Sequence, residues 1–227
     1  MTRRIIMSSI PSYDVHPGVK GQIFDRASAP KKKLKLDERI LAAKNDHPEF
    51  IQALQEAGID LNTLNILDVN SNNRVHYAAA DGDVKIIQLL HKASVNLSEP
   101  NINGATPAYY AAANGHVAVI QVLLKLGEDL SSLDNNGNNL AHYAAANGHV
   151  KVIQALHNAG VNLSKLNNNR MTPAHYAAAD GHLEVIQVLH NAGVDITIPN
   201  NNGLRPEDIA AIRGHLEVAF SCKIWSY

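Results

Sequence analysis

The stretch Thr172-Pro-Ala-His-Tyr-Ala-Ala-Ala-Asp-Gly-His182 sets two imidazoles seven positions apart. Such a pair can ligate a metal, act as a base with its partner, or hold a scaffold together, and the chain carries 12 histidines. His215 and Cys222 repeat the spacing with the one thiol present, the side-chain types of a base and its nucleophile. A thiol nucleophile also needs donors for the developing oxyanion. No such signal accompanies this pair, so Cys222 reads as a small buried apolar residue.

The histidines are periodic. The segments beginning at Arg74, Pro107, Leu140 and Pro173 read RVHYAAADGD, PAYYAAANGH, LAHYAAANGH and PAHYAAADGH. His76, Tyr109, His142, His175 and Asp208 stand 33 residues apart, and Gly82, Gly115, Gly148, Gly181 and Gly214 keep the same register. A fixed period of this length marks a solenoid. Equivalent positions of stacked helices lie roughly 8–10 Å apart, whereas zinc draws each donor nitrogen to about 2.0–2.1 Å. The ladder therefore cannot converge on one ion, and the sequence assigns no metal, no cofactor and no catalytic residue.

Each unit reads as two short helices and an extended arm. In the fourth, Thr172 caps a helix and Pro173 takes the first position, where a missing N–H costs nothing. Alanines 177–179 favour helix and keep it thin, and Gly181 supplies a left-handed stop. Leu183, Val185, Ile186, Val188 and Leu189 form the apolar face of a second helix ending at Gly193. The segment VDITIPNNNG is extended and closes in an Asn/Gly turn.

The T-P-x-H-x-A-A start, the G-H-x-x-V-I middle and the period closely resemble ankyrin repeats from residue 68 to about residue 220. The resemblance implies an all-α solenoid of paired antiparallel helices with short β-hairpin or loop fingers. Its parts are a basic, mostly flexible tail (1–35), an N-terminal helical cap (36–67), repeats at 68–100, 101–133, 134–166 and 167–199, and an altered terminal repeat (200–227). In that family the first-helix histidine bonds the preceding threonine and the backbone of a neighbouring unit. Carried over, His175 pairs with Thr172, His76 and His142 face Asn73 and Asn139, and Tyr109, opposite Thr106, departs from the pattern. With Gly115, Gly148 and Gly181 these are structural positions.

The resemblance also implies a function: non-catalytic recognition of a protein partner through finger tips and concave face, as a scaffold or adaptor, with an effector acting in a host cell as one form. The tip candidates are Asn70, Asn72, Ile102, Asn103, Asn135, Asn136, Asn168, Asn169, Arg170, Asn201 and Asn202. The first-helix candidates are Asp81, Asn114, Asn147, Asp180 and Arg213. Asparagine also serves turns by bonding its own backbone. Ser71 and Arg170 hold the slot of Gly104, Gly137 and Gly203, so Arg170 is strained if its φ is positive. Tyr77, Tyr110, Tyr143 and Tyr176 read as core-edge packing with hydroxyls pointing outward. The different-class alternative is a recognition fragment of a larger enzyme whose catalytic part lies outside this chain.

Charge sharpens the partner class. Residues 1–35 hold eight Lys/Arg against two Asp/Glu and the remainder twelve against nineteen, so a basic tail precedes an acidic body. An acidic body does not neutralise phosphates, which excludes nucleic acid for it. No apolar run reaches the ~18 residues of a membrane span, and a single cysteine fits a reducing compartment. A cytoplasmic location follows, the host cytosol for a secreted effector. The altered end places Phe220, Ile224 and Tyr227 on one helical face. They read as a cap on a monomer, with self-association through Phe220, Ile224 and Trp225 as the alternative.

Overall fold

A computed structural model describes residue 56 and residues 67–225 of the 227. The expected tail (1–35), the expected cap (36–67) apart from residues 56 and 67, and Tyr227 lie outside the described residues. From residue 74 onward, the described residues form ten helices in five antiparallel pairs and no strand. The pairs are α1 Arg74–Asp81 with α2 Val84–Lys92, α3 Pro107–Ala113 with α4 Val117–Lys125, and α5 Leu140–Ala146 with α6 Val150–Asn158. Then come α7 Pro173–Ala179 with α8 Leu183–Asn191, and α9 Pro206–Arg213 with α10 Leu216–Ile224.

The first helix of each pair is short because both ends are written into the sequence. Pro107, Pro173 and Pro206 open α3, α7 and α9, where an absent N–H loses no bond. Two turns later the chain reverses through a left-handed glycine, with φ between 74° at Gly148 and 83° at Gly214. The alanines between are buried and thin, so α1, α3, α5, α7 and α9 stack on one another while the second helices form a parallel row. Ile87 and Leu90, Ile120 and Leu123, Ile153 and Leu156, and Ile186 and Leu189 point inward from that row. Leu97, Leu130, Leu163 and Ile196, from the segments that follow, close the core at the same 33-residue interval. A buried leucine or isoleucine contributes roughly 1.5–3 kcal/mol, so these side chains carry most of the apolar stabilisation.

The fingers are turns rather than β-hairpins. Asn101 Oδ1 accepts the N–H groups of Asn103 and Ala105, and the Asn101 N–H reaches the Ala105 carbonyl, closing a five-residue loop on itself. The same loop forms on Asp68, Asp134, Asn167 and Asn200. With its backbone spent locally, each tip makes one main-chain bond to its neighbour: Ile102 to Asn70, Asn135 to Asn103, Asn168 to Asn136, Asn201 to Asn169. One bond per tip is too few for a ladder. Ser71 and Arg170 take the glycine slot with φ of 62° and 56°, as expected, and Ser94 does so (55°) where later repeats have Gly127, Gly160 and Gly193.

Candidate functional site

The first-helix histidines are spent on the stack. His175 Nδ1 lies 2.9 Å from the Thr172 hydroxyl and accepts the Thr172 N–H at 3.0 Å, while Nε2 reaches the Leu204 carbonyl of the next repeat at 3.2 Å. His76 and His142 repeat this with the carbonyls of Ala105 and Met171, and with Asn73 or Asn139 Oδ1 at 2.8 Å from Nδ1. In all three rings Nδ1 accepts the capping residue's backbone N–H and Nε2 faces a carbonyl, so the neutral imidazole carries its proton on Nε2; the Thr172 hydroxyl can also donate to Nδ1, which an asparagine oxygen cannot. Burial pushes all three imidazoles down to about 4, so they are neutral at pH 7. Tyr109 does the same job with a longer arm, donating to the carbonyls of Asn138 and Ser132.

The second histidine series reaches backward. His116, His149 and His182 send Nε2 to the carbonyls of Ala80, Ala113 and Ala146 at 2.9–3.1 Å. Their rings, and that of His215, lie across the glycine of the preceding repeat, where an added Cβ would stand 2.5–2.8 Å from Nδ1. Those glycines are thus fixed twice, by a left-handed backbone and by an imidazole on the missing side chain. Burial, the largest cause, holds His149 below its ordinary value.

The tyrosine hydroxyls point inward, correcting the outward orientation expected from sequence. Tyr77 and Tyr143 donate to the carboxylates of Asp68 and Asp134 at 2.7 and 2.6 Å. Tyr110 and Tyr176 instead donate to Asn72 and Asn138 of the preceding repeat, and accept from Asn101 and Asn167. Asn72 and Asn138 are the junctions: each amide donates to the Asp of its own repeat, and each oxygen accepts from the Asn and Tyr of the next. Edge-on contacts of His76 with Tyr110, Tyr109 with Tyr143, and His142 with Tyr176 complete the row. Asn72 is therefore buried and occupied, and it leaves the set of candidate contact residues.

What remains outside is narrower than the sequence suggested. Asn135, Asn168 and Asn201 are exposed, but each side chain donates to the backbone carbonyl 33 residues earlier, at Ile102, Asn135 and Asn168. On the first-helix surface Asn114 donates to Ala80 and Asn147 to Tyr143, both half-buried. Asp81, Asp180 and Arg213 are exposed. The adjacent tip residues behave differently. Asn103, Asn136, Asn169 and Asn202 are exposed, and their side chains have no partner among the described residues. Asn70 occupies the same row but is half-buried. Exposed Ile102 and Arg170 flank this row of uncommitted amides.

The terminal repeat divides the expected apolar face. Trp225 stacks on His190 with ring centroids 5.4 Å apart and planes 8° from parallel, so it packs back as a cap does. Phe220 and Ile224 stay in solvent. Cys222 is fully buried, and burial, the largest cause, raises its thiol to about 11, far from a thiolate at pH 7. Among the described residues no cluster of three His, Cys, Asp or Glu can hold a metal ion, and no helix is long and apolar enough to cross a membrane.

The family model described as ankyrin repeats (three copies) matches the chain over the overlapping ranges 40–134, 75–165, 124–200 and 141–220. No curated protein matches the chain.

Proposed function

Because the chain belongs to the ankyrin-repeat family, whose repeats generally serve as protein–protein interaction modules, we propose that it is a non-catalytic scaffold that binds a protein partner along its finger tips. The observation that carries this reading is the split within each tip. At three tips one asparagine, at 135, 168 or 201, is spent on the neighbouring tip, and at four the next position, 103, 136, 169 or 202, presents an amide bound to nothing. Four equivalent amides at one position of successive repeats offer paired donors and acceptors to a polypeptide surface. Ile102 and Arg170 add one apolar and one cationic contact, and Asp81 and Asp180 extend the surface onto the first helices. We place it in a cytoplasmic compartment, where a lone buried thiol needs no partner for a disulfide.

The test uses a partner isolated by affinity capture on the full chain. Replacing Asn103, Asn136, Asn169 and Asn202 together with alanine is expected to weaken that partner at least tenfold while moving the melting temperature little. Replacing Gln88, Gln121, Gln154 and Gln187, exposed on the second helices, is expected to leave binding intact. Binding that survives the first set and disappears with the second refutes the proposal.

A further inference from the structure

Helix α10 carries an apolar stripe that no other second helix among the described residues has. Leu216, Phe220 and Ile224 follow at i, i+4 and i+8, on one side of the helix, and are 71 %, 67 % and 54 % exposed. Val218 and Cys222, on the opposite side, are the buried ones. A further repeat stacked on this one would leave Phe220 and Ile224 uncovered. In every interior repeat the position of Phe220 is a glutamine that stays exposed with its neighbour in place, and that of Ile224 is an exposed Lys or Asn. Phe220 and Ile224 therefore belong to an outer surface, not to an unfinished core.

The charges beside the stripe say what fits it. At 100° per residue, Glu217 and Lys223 stand three positions before and after Phe220, one on each flank, at equal angles from it. Both are exposed and have no partner among the described residues. A twofold axis laid along such a stripe brings each apolar side chain onto its own copy and each Glu217 onto the partner copy's Lys223. An axis laid across the stripe would instead set Glu217 on Glu217. We propose that this face docks a second copy of the chain, forming a twofold dimer about the Leu216–Phe220–Ile224 line. An isologous contact requires this kind of self-complementarity. With three large apolar side chains at its centre, the contact belongs at the small end of specific interfaces, below about 1,200 Å² in total, and is concentration-dependent.

Sedimentation velocity on the full chain, from low micromolar to high micromolar concentration, is expected to show a reversible shift from monomer to dimer. Phe220→Gln, which restores the residue of the interior repeats, is expected to leave monomer throughout with an unchanged melt. Glu217→Lys alone and Lys223→Glu alone should each weaken the dimer at least tenfold, and the two together should restore it to within about threefold. A wild-type chain that stays monomeric overturns the proposal and leaves the stripe to a different protein. So does a dimer that persists in Phe220→Gln, or a double reversal as weak as its single parents.

Discussion

Acidification should unfold this protein well before its carboxylates are protonated, because three buried histidines must first be charged. An unfolded histidine titrates near 6.5, while burial holds His76, His142 and His175 at about 4 in the folded chain. Their folded values are depressed, so below 6.5 the unfolded state binds more protons and stability falls as pH falls. The loss begins just under pH 7 and levels off only as pH passes about 4. At pH 5 each unfolded ring is almost wholly charged and each folded one almost wholly neutral. The linkage cost is then about 2 kcal/mol per histidine, at about 1.4 kcal/mol per pH unit, and about 6 kcal/mol for the three together. A domain holds only about 5–15 kcal/mol in all, so the loss at pH 5 is a large share of it.

The assay is urea unfolding followed by far-UV circular dichroism at pH 7.5, 6 and 5. A matched variant isolates the cause. His175→Gln keeps the reciprocal cap that threonine and glutamine form at this spacing but removes one titration, so it should lose about 2 kcal/mol less between pH 7.5 and 5. Stability that changes by under about 1 kcal/mol across this range, or a variant with the full pH slope, refutes the reasoning. Asp68, held below the ordinary carboxylate range by its hydrogen bonds against the opposing effect of burial, loses its contribution only at lower pH and does not obscure the window.

Backbone substitutions test the imidazole-on-glycine contact and the strained tips. Gly148→Ala meets both a left-handed φ of 74° and the His182 ring at 2.8 Å, so it should cost more than the roughly 1–2 kcal/mol of the conformation alone. In a His182→Ala background only the conformational part should remain, which thermal melts of the four-variant cycle resolve. Conversely, Arg170→Gly relieves a φ of 56° and should raise stability by about 1 kcal/mol, read from the midpoint of a urea titration.

The repeat architecture was legible because its determinants are local and recur in register: a capping residue, the alanines, the stopping glycine and the histidines. The strain at Arg170 was legible for the same reason, since one non-glycine stood in a glycine slot. What the pattern hid depends on which way a side chain turns. Asn168 and Asn169 are the same letter side by side, yet one is bonded to its neighbour's backbone and the other presents its amide to solvent. Leu216 stands where other repeats have half-buried valine or leucine, so the periodicity gave no sign of its exposure. The tyrosines misled because Tyr110 and Tyr176 find their acceptors 38 residues back, across a repeat boundary.

Over the first four finger loops the buried polar row has a period of 66 beneath the one of 33; the fifth, headed by Asn200, departs from it. The head of the finger loop is Asp at 68 and 134 but Asn at 101 and 167, and the chemistry requires that alternation. Asp134 can only accept, and it takes four donors: the N–H groups of Asn136 and Asn138, the Asn138 amide and the Tyr143 hydroxyl. Turning its amide toward Asp134 leaves the Asn138 oxygen facing the next repeat, where Asn167 must donate at 2.8 Å and does. Asn167→Asp is nearly isosteric but sets a carboxylate oxygen against the Asn138 oxygen in a buried site. It should cost about 2–4 kcal/mol at pH 7, as an unpaired buried charge does. Asn200→Asp is the control. Its loop oxygen accepts the same pair of N–H groups, from Asn202 and Leu204, but Met171 and Ile209 replace the asparagine and tyrosine around it. That change should cost under about 1 kcal/mol. Equal losses at the two positions in urea unfolding at pH 7 would mean that any buried asparagine in these loops resists a charge, and the donor–acceptor alternation would explain nothing.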